Sequence, residues 1–400
     1  MSQFNLSSIM RKTRLFFAYV CQAVSLSGLE YKGSFMNKKA GGAILVLVLA
    51  VLSVIFGQDL LQQFGLDEGE PLLNPVTDPA APADWYEIYF TNPTCPPEAE
   101  RVDGLDEDIA ADMLSAEVRV DVAAYDLDAE PMVQALIELE GRGVEVRVVT
   151  DTDNASLSSI NRLRRNGISV AEDKRSAIMH NKFVVIDGRI VWTGSMNFTT
   201  NGVYCNNNNL VRIASPRLAA NYTAEMDEMV NDNSFGPTSP QNTPNEALSI
   251  GGVRVENYLG PEREIAPIIS RRLASAESEI LFMAFSFTNE QIGEALLGRA
   301  DAGVIVRGVF ERVGSDTPFS YYPPLSQARL SNIAVRTDGN PQVMHHKLFI
   351  IDRSIVIFGS FNFSDNANNS NDENVLIVHD SEFASYFIEE FETVWAEASE

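Results

Sequence analysis

A chain of 400 residues with 45% hydrophobic content can bury a substantial core, and its 55 acidic and 30 basic residues give a formal net charge of −25. Duplex nucleic acid draws most of its non-specific affinity from Lys and Arg, and anionic lipid attracts the same residues. The balance therefore argues against a general DNA binder and against a protein held on an acidic membrane by charge alone.

The amino-terminal end departs from this composition, with Arg11, Lys12, Arg14, Lys32, Lys38 and Lys39 against Glu30 alone in residues 1–57. Met36-Asn37-Lys38-Lys39 precedes an apolar run over 43–56 broken only by Ser53, the pattern of a secretory signal or a short anchor. Residues 36–57 are accordingly expected to be that segment, with cleavage and retention both open, and residues 1–35 an extension ahead of a start at Met36. Lys38 and Lys39 stay cytoplasmic under the positive-inside rule, which places the rest outside, membrane-anchored or secreted. The Pro-, Ala- and acid-rich residues 67–84 make 58–84 a linker. From Met36 onward two cysteines remain, Cys95 and Cys205, expected as a disulfide in an oxidising compartment, with two free thiols the alternative. Without a CxxC or a Cys/His cluster, no zinc site is expected.

Residues 85–231 alternate strand and helix patterns, as expected of a mixed sheet with helices on its faces. Strands are predicted over 86–90, 117–125 and 144–150, and helices over 106–115, 131–142 and 157–165, the last two closed by Gly143 and Gly167. An amphipathic helix over 216–230 ends the unit. Residues 232–250 are polar and Pro-bearing, a second linker, and 251–400 restate the plan. Strands are predicted there over 253–259, 279–287 and 304–311, with helices over 263–275, 290–299 and 382–398. Two connections leave the carboxyl ends of strands, where open α/β sheets place ligands: the serine-rich residues 151–159, and 312–325 with Phe319, Tyr321 and Tyr322. Such an aromatic loop covers an acyl or glycerol group, stacks on bases, or simply packs down.

One stretch occurs in both units. His180-x-Lys182, Asp187, Gly194-Ser195 and Asn197 recur as His345-x-Lys347, Asp352, Gly359-Ser360 and Asn362, each 165 residues later. The runs after the lysines read as strands, so His180 and Lys182 share a face, as do His345 and Lys347. Asp187 falls on the other face and, with Gly188, opens a hairpin turn, so Asp187 and Asp352 are read as supports. A neutral imidazole beside an ammonium, with Ser and Asn arriving from the next strand, suits a phosphate oxyanion and the nucleophile that attacks it. Lysine usage agrees, since Lys174, Lys182 and Lys347 are the only lysines after residue 57. His346 and His379 are read as structural.

At these residues the sequence resembles the phospholipase D superfamily, whose signature is a duplicated HxKxxxxD followed by GSxN; the likeness covers roughly 85–400. It implies two pseudo-two-fold-related repeats, 85–231 and 251–400, and cleavage or exchange of phosphodiesters through a phosphohistidine with no metal or other cofactor. It also implies that an acid or amide beyond GSxN orients each imidazole across the two-fold. Glu373 then backs His180 and Asn208, its partner at the 165 offset, backs His345. The carboxylate favours His180 as nucleophile, leaving His345 to protonate the leaving oxygen and then activate water. Lys182, Lys347, Asn197 and Asn362 form the expected phosphate clamp, with Ser195 and Ser360 as further donors or supports. The leading expectation is hydrolysis or transphosphatidylation of phospholipid by a monomer near a membrane, with nucleic acid disfavoured by charge. A metal-independent endonuclease is the alternative. A cardiolipin synthase-like transferase has less support, because only one anchor segment is visible, and so does a non-catalytic binding module, because no motif residue is missing.

Overall fold

The computed structural model describes residues 73–399, so the expectations for 1–35, for 36–57 and for most of the first linker lie outside the described residues. The β-branched run Lys182–Ile186 pairs antiparallel with Ile190–Gly194. Asp187 and Gly188 both take positive φ at the turn (50° and 61°), the geometry that matches the twist of a two-residue hairpin. The equivalent strands Lys347–Ile351 and Ile355–Gly359 turn through Asp352 and Arg353, at 49° and 56°.

Each hairpin lies near the middle of a mixed sheet. The first sheet runs Tyr86–Phe90, Asn209–Ala214, Ile190–Gly194, Lys182–Ile186, Arg119–Ala124, Glu145–Thr150, Ser169–Glu172. The second runs Val253–Gly260, Glu373–His379, Ile355–Gly359, Lys347–Ile351, Glu279–Ala284, Ile305–Phe310, Ile333–Thr337, the same seven-place order, with Ala247–Ile250 and Val76–Thr77 added outside Val253–Gly260.

The period of two decides what each face touches. Phe183 and Val185 share one core with Leu348 and Ile350 of the other repeat, whereas Val184 and Ile186, and Phe349 and Ile351, pack into separate clusters with their own repeat's helices. The sheets are therefore joined through one apolar layer, to which the closing helices Pro216–Asp227 and Ser381–Glu397 add Tyr222 and Phe387. Each such buried side chain contributes about 1.5–3 kcal/mol of transfer free energy to holding the repeats together.

Several elements differ from expectation. The strands Asn209–Ala214 and Glu373–His379 follow asparagine-rich stretches that disguise them, because Asn is depleted in strands. The helix expected over 216–230 ends at Asp227 and continues as a π-helical turn, Glu228–Asp232, stopped by Asn233 at φ 51°. The strand expected over 279–287 ends at Ala284, turning Phe285 off the sheet. Within the stretches read as linkers, Val76–Thr77 and Ala247–Ile250 pair in parallel, and Asp78 accepts from Ser215 Oγ and Arg217 N. Cys95 and Cys205 are disulfide-bonded. In the 312–325 connection Tyr321 stacks on Phe287 and Tyr322 meets Phe310, both at 5.4 Å between ring centres, while Phe319 is 76% exposed.

Candidate active site

The two repeats meet at the starts of the motif strands, and each completes the other. His180 N donates to Asp372 O (3.0 Å) and His345 N to Asn207 O (2.9 Å), so each histidine backbone is pinned by the opposite repeat. Side chains follow the same exchange. His180 Nδ1 lies 2.9 Å from both Glu373 oxygens, and His345 Nδ1 lies 3.0 Å from Asn208 Oδ1. Asn208 Nδ2 donates to Gly202 O, which turns Oδ1 towards the imidazole and makes His345 Nδ1 the donor. In both half-sites Nδ1 therefore carries the proton and Nε2 keeps its lone pair.

The motif serines hold these orienting groups. Ser195 Oγ donates to Asn208 Oδ1 (2.9 Å) and accepts from Asn209 N, while Ser360 Oγ donates to Glu373 Oε2 (2.6 Å) and accepts from Asn374 N. Each motif serine thus contacts the group that orients the imidazole. The preceding glycines permit this closeness: a Cβ at Gly194 would lie 2.3 Å from Asn209 O, and one at Gly359 2.2 Å from Asn374 O.

Asp187 accepts from the N–H groups of Glu117, Val118 and Arg119 at 2.8–3.0 Å. Asp352 does the same for Glu277, Ser278 and Glu279 at 2.7–3.0 Å. Each thus secures the start of the neighbouring strand. Three N–H donors on one carboxylate hold both acids below the usual range against the opposing effect of burial.

Both lysines are buried. Lys182 Nζ donates to His180 O (2.6 Å) and Lys347 Nζ to His345 O (2.8 Å), so each ammonium is anchored beside its own histidine. Aromatic rings close the other side. Tyr125 lies 5.3 Å from Lys182 Nζ and edge-on to His180; Phe285 lies 4.8 Å from Lys347 Nζ and edge-on to His345. The sequence reading did not single out these two rings. They sit 160 residues apart, each just after its strand, and that second register is the signal that could have found them. Asp151 and Glu311 share it, accepting from Met179 N (2.9 Å) and Met344 N (2.7 Å), one residue before each histidine. Asn197 and Asn362 each keep a buried Oδ1 without a partner.

The electrostatics follow from burial and crowding. Burial, then Lys182 and Lys347, hold His180 well below its ordinary value; burial, Lys347, Lys182 and His180 do the same to His345. Each imidazole thus feels the ammonium of the other repeat, which places all four groups in one electrostatic site. Burial brings Lys182 down to about 7 and depresses Lys347 strongly, while it lifts Glu373 to about 7 against the pull of Lys182. Neutral imidazoles and incompletely compensated ammoniums suit an anionic ligand with an electrophilic centre. His346, by contrast, is tied between Asn209 Nδ2 (3.0 Å) and Glu390 Oε1 (3.1 Å), outside this set.

A family model described as "Cardiolipin synthase, PLD-like domain" matches residues 109–230 and 269–395, together more than half of the chain. The mitochondrial cardiolipin hydrolase of Chlamydomonas reinhardtii is 35% identical over 117 residues, 29% of this chain and 52% of that protein. A phospholipase D of Rickettsia felis is 29% identical over 161 residues, 40% of this chain and 79% of that protein. The chain thus spans about half the length of the cardiolipin hydrolases it matches. The crystal structure of phosphatidylserine synthase from Haemophilus influenzae superposes with a TM-score of 0.59 at 13% identity, over 80% of this chain and 88% of that one, a likeness of fold.

Proposed function

Because the chain belongs to the family of cardiolipin synthase, phospholipase D-like domains, we propose that it is a phosphodiesterase that works through a phosphohistidine and takes phospholipid as substrate. The observation that carries this reading is the crossed pair of half-sites: two Nδ1-anchored imidazoles from different repeats, each under the influence of the other's lysine.

A phosphodiester anion between Lys182 and Lys347 supplies the negative charge that the buried ammoniums lack. His180 Nε2 attacks phosphorus and an N–P bond forms as the bond to the leaving oxygen breaks. The positive charge growing on His180 is met through Nδ1 by Glu373. His345, which takes up a proton as the anionic substrate enters, delivers it from Nε2 to the leaving oxygen. Water then gives its proton to His345 Nε2 and attacks phosphorus, the N–P bond breaks, and His180 recovers its lone pair. An alcohol in place of water gives transfer.

Lipid is favoured over a polynucleotide by a partly apolar cavity of about 330 Å³ beside Phe285, the ring that faces His345. Phe287, Phe310, Val313 and Phe319 line it, and Val313 and Phe319 stand 75% and 76% exposed on its rim. The test is the full chain assayed in parallel on phosphatidylcholine or cardiolipin vesicles and on single-stranded DNA, with acid-sensitive phosphate labelling mapped by peptide. Lipid turnover with label on His180 is expected. DNA cleavage without lipid turnover overturns the substrate, and steady turnover with no histidine label after rapid quenching overturns the intermediate.

A further inference from the structure

Behind the motif strand of repeat one lies a second cluster that the proposed chemistry does not use. Glu225, on the closing helix, and Glu228, three residues on at the π-helical turn, converge with Glu262 from the start of repeat two; their oxygens lie within 4.8 Å of one another. Three carboxylates so close usually face solvent, but Glu225 and Glu228 are 1% and 2% exposed. Each of the three also has a buried oxygen with no hydrogen-bond partner: Glu225 Oε2, Glu228 Oε1 and Glu262 Oε2. The remaining oxygens of the two buried acids are satisfied, Glu225 Oε1 by Asn181 Nδ2 (3.0 Å) and Glu228 Oε2 by Asn242 Nδ2 (3.3 Å).

The other repeat shows what such a position needs. Glu390, at the 165 offset from Glu225, meets His346 Nε2 at 3.1 Å, a group able to carry positive charge. At the offset position of His346 repeat one has Asn181, which is neutral, and across from it two further acids. Burying a carboxylate without a positive partner or a donor costs several kcal/mol, and burying neighbouring ones compounds it.

We propose that Glu225, Glu228 and Glu262 bind a calcium ion that fastens the closing helix of repeat one to the first loop of repeat two. The donors are all oxygen, which selects a hard cation over zinc, and carboxylates of adjustable denticity suit the loose coordination of calcium better than the strict octahedron of magnesium. The ion takes no part in phosphoryl transfer. Its reach to the active site is positional: Glu225 holds Asn181, Asn181 Oδ1 accepts from Asn374 Nδ2 (2.9 Å), and these two flank His180 and Glu373 in sequence.

The experiment is a calorimetric titration of the chelator-stripped full chain with CaCl₂, with melting curves in EDTA and in calcium, for wild type, Glu262→Gln and the double variant Glu228→Gln/Glu262→Gln. One equivalent of calcium is expected to bind wild type and, at about a hundred times its Kd, to raise Tm by about 5 °C. Glu262→Gln should weaken binding at least tenfold and the double variant should lose the Tm shift, while melting in EDTA no lower than wild type because a neutral amide replaces a crowded buried carboxyl. No saturable binding to wild type overturns the proposal. So does an undiminished shift in both variants, which would mark the response as that of the acidic surface. Because the readout is binding and melting, it stands or falls independently of the proposed phosphodiesterase activity.

Discussion

The two half-sites are built on one plan and differ at one position that matters. His180 rests on a carboxylate, Glu373, and His345 on an amide, Asn208, although serine, glycine, lysine and ring occupy corresponding places around both. A carboxylate stabilises the cation that forms when its imidazole attacks phosphorus, whereas an amide fixes tautomer and orientation without adding charge. The lesson is that a duplicated site gains a direction of reaction from a single Glu/Asn divergence.

The strongest way to break that comparison is to remove each imidazole. His180→Asn and His345→Asn should each cut kcat by about 10⁴-fold or more, judged by the scale of losses when a nucleophile or its base is removed. With an activated substrate such as bis(p-nitrophenyl) phosphate, the His345 variant should still show a burst and retain label on His180. Label on His345 in the His180 variant would invert the assignment. Next in size is the pair of orienting groups. Glu373→Gln should lower kcat on the order of 10²–10³-fold and Asn208→Asp much less, since Asn208 already does its orienting without charge. Combining them transplants the carboxylate, and label migrating to His345 would be the sharpest confirmation that charge at this position decides which histidine attacks. If the double variant labels His180 as before, some other asymmetry is responsible.

The alkaline limb tests the lysines. Lys182 is charged below about 7 and loses its proton above it, so the clamp weakens as pH rises, and kcat/KM should fall tenfold per unit on that side until substrate charge compensates. The imidazoles, depressed well below their ordinary value, remain unprotonated and nucleophilic into mildly acidic solution. An alkaline limb beginning near 10 would mean that Lys182 is better compensated than its burial implies. The smallest effect on turnover is expected from the Cys95–Cys205 disulfide, which lies three residues from Asn208 and spans 110 residues. Cys95→Ser should cost about 2–4 kcal/mol of stability by denaturant melt, with only a few-fold loss in kcat, confined to the half-site that Asn208 serves.

The duplication made much of this legible. A constant offset of 165 located His180, Lys182, His345, Lys347 and the sheet hairpins, and the mismatch of Asn208 against Glu373 within it located the asymmetry. Tyr125 and Phe285 escaped because they obey a different offset, 160, set by a path to the motif strand that is five residues longer in repeat two. The serines could not be assigned from sequence, since donating to a phosphate and donating to Glu373 require the same hydroxyl at the same spacing. Glu262 joins Glu225 and Glu228 only through the fold, 34 residues after the latter, at a position with no counterpart at the repeat offset.

Because the backbone of each histidine and the atom that orients its ring come from the opposite repeat, neither half owns a working centre. Separate halves would have to find each other before reacting, with a rate that depends on their concentration. Joining them in one polypeptide replaces that encounter with a fixed local concentration. It also removes the requirement that both copies stay identical, and a self-pairing single repeat could never have kept glutamate in one place and asparagine in its mirror position.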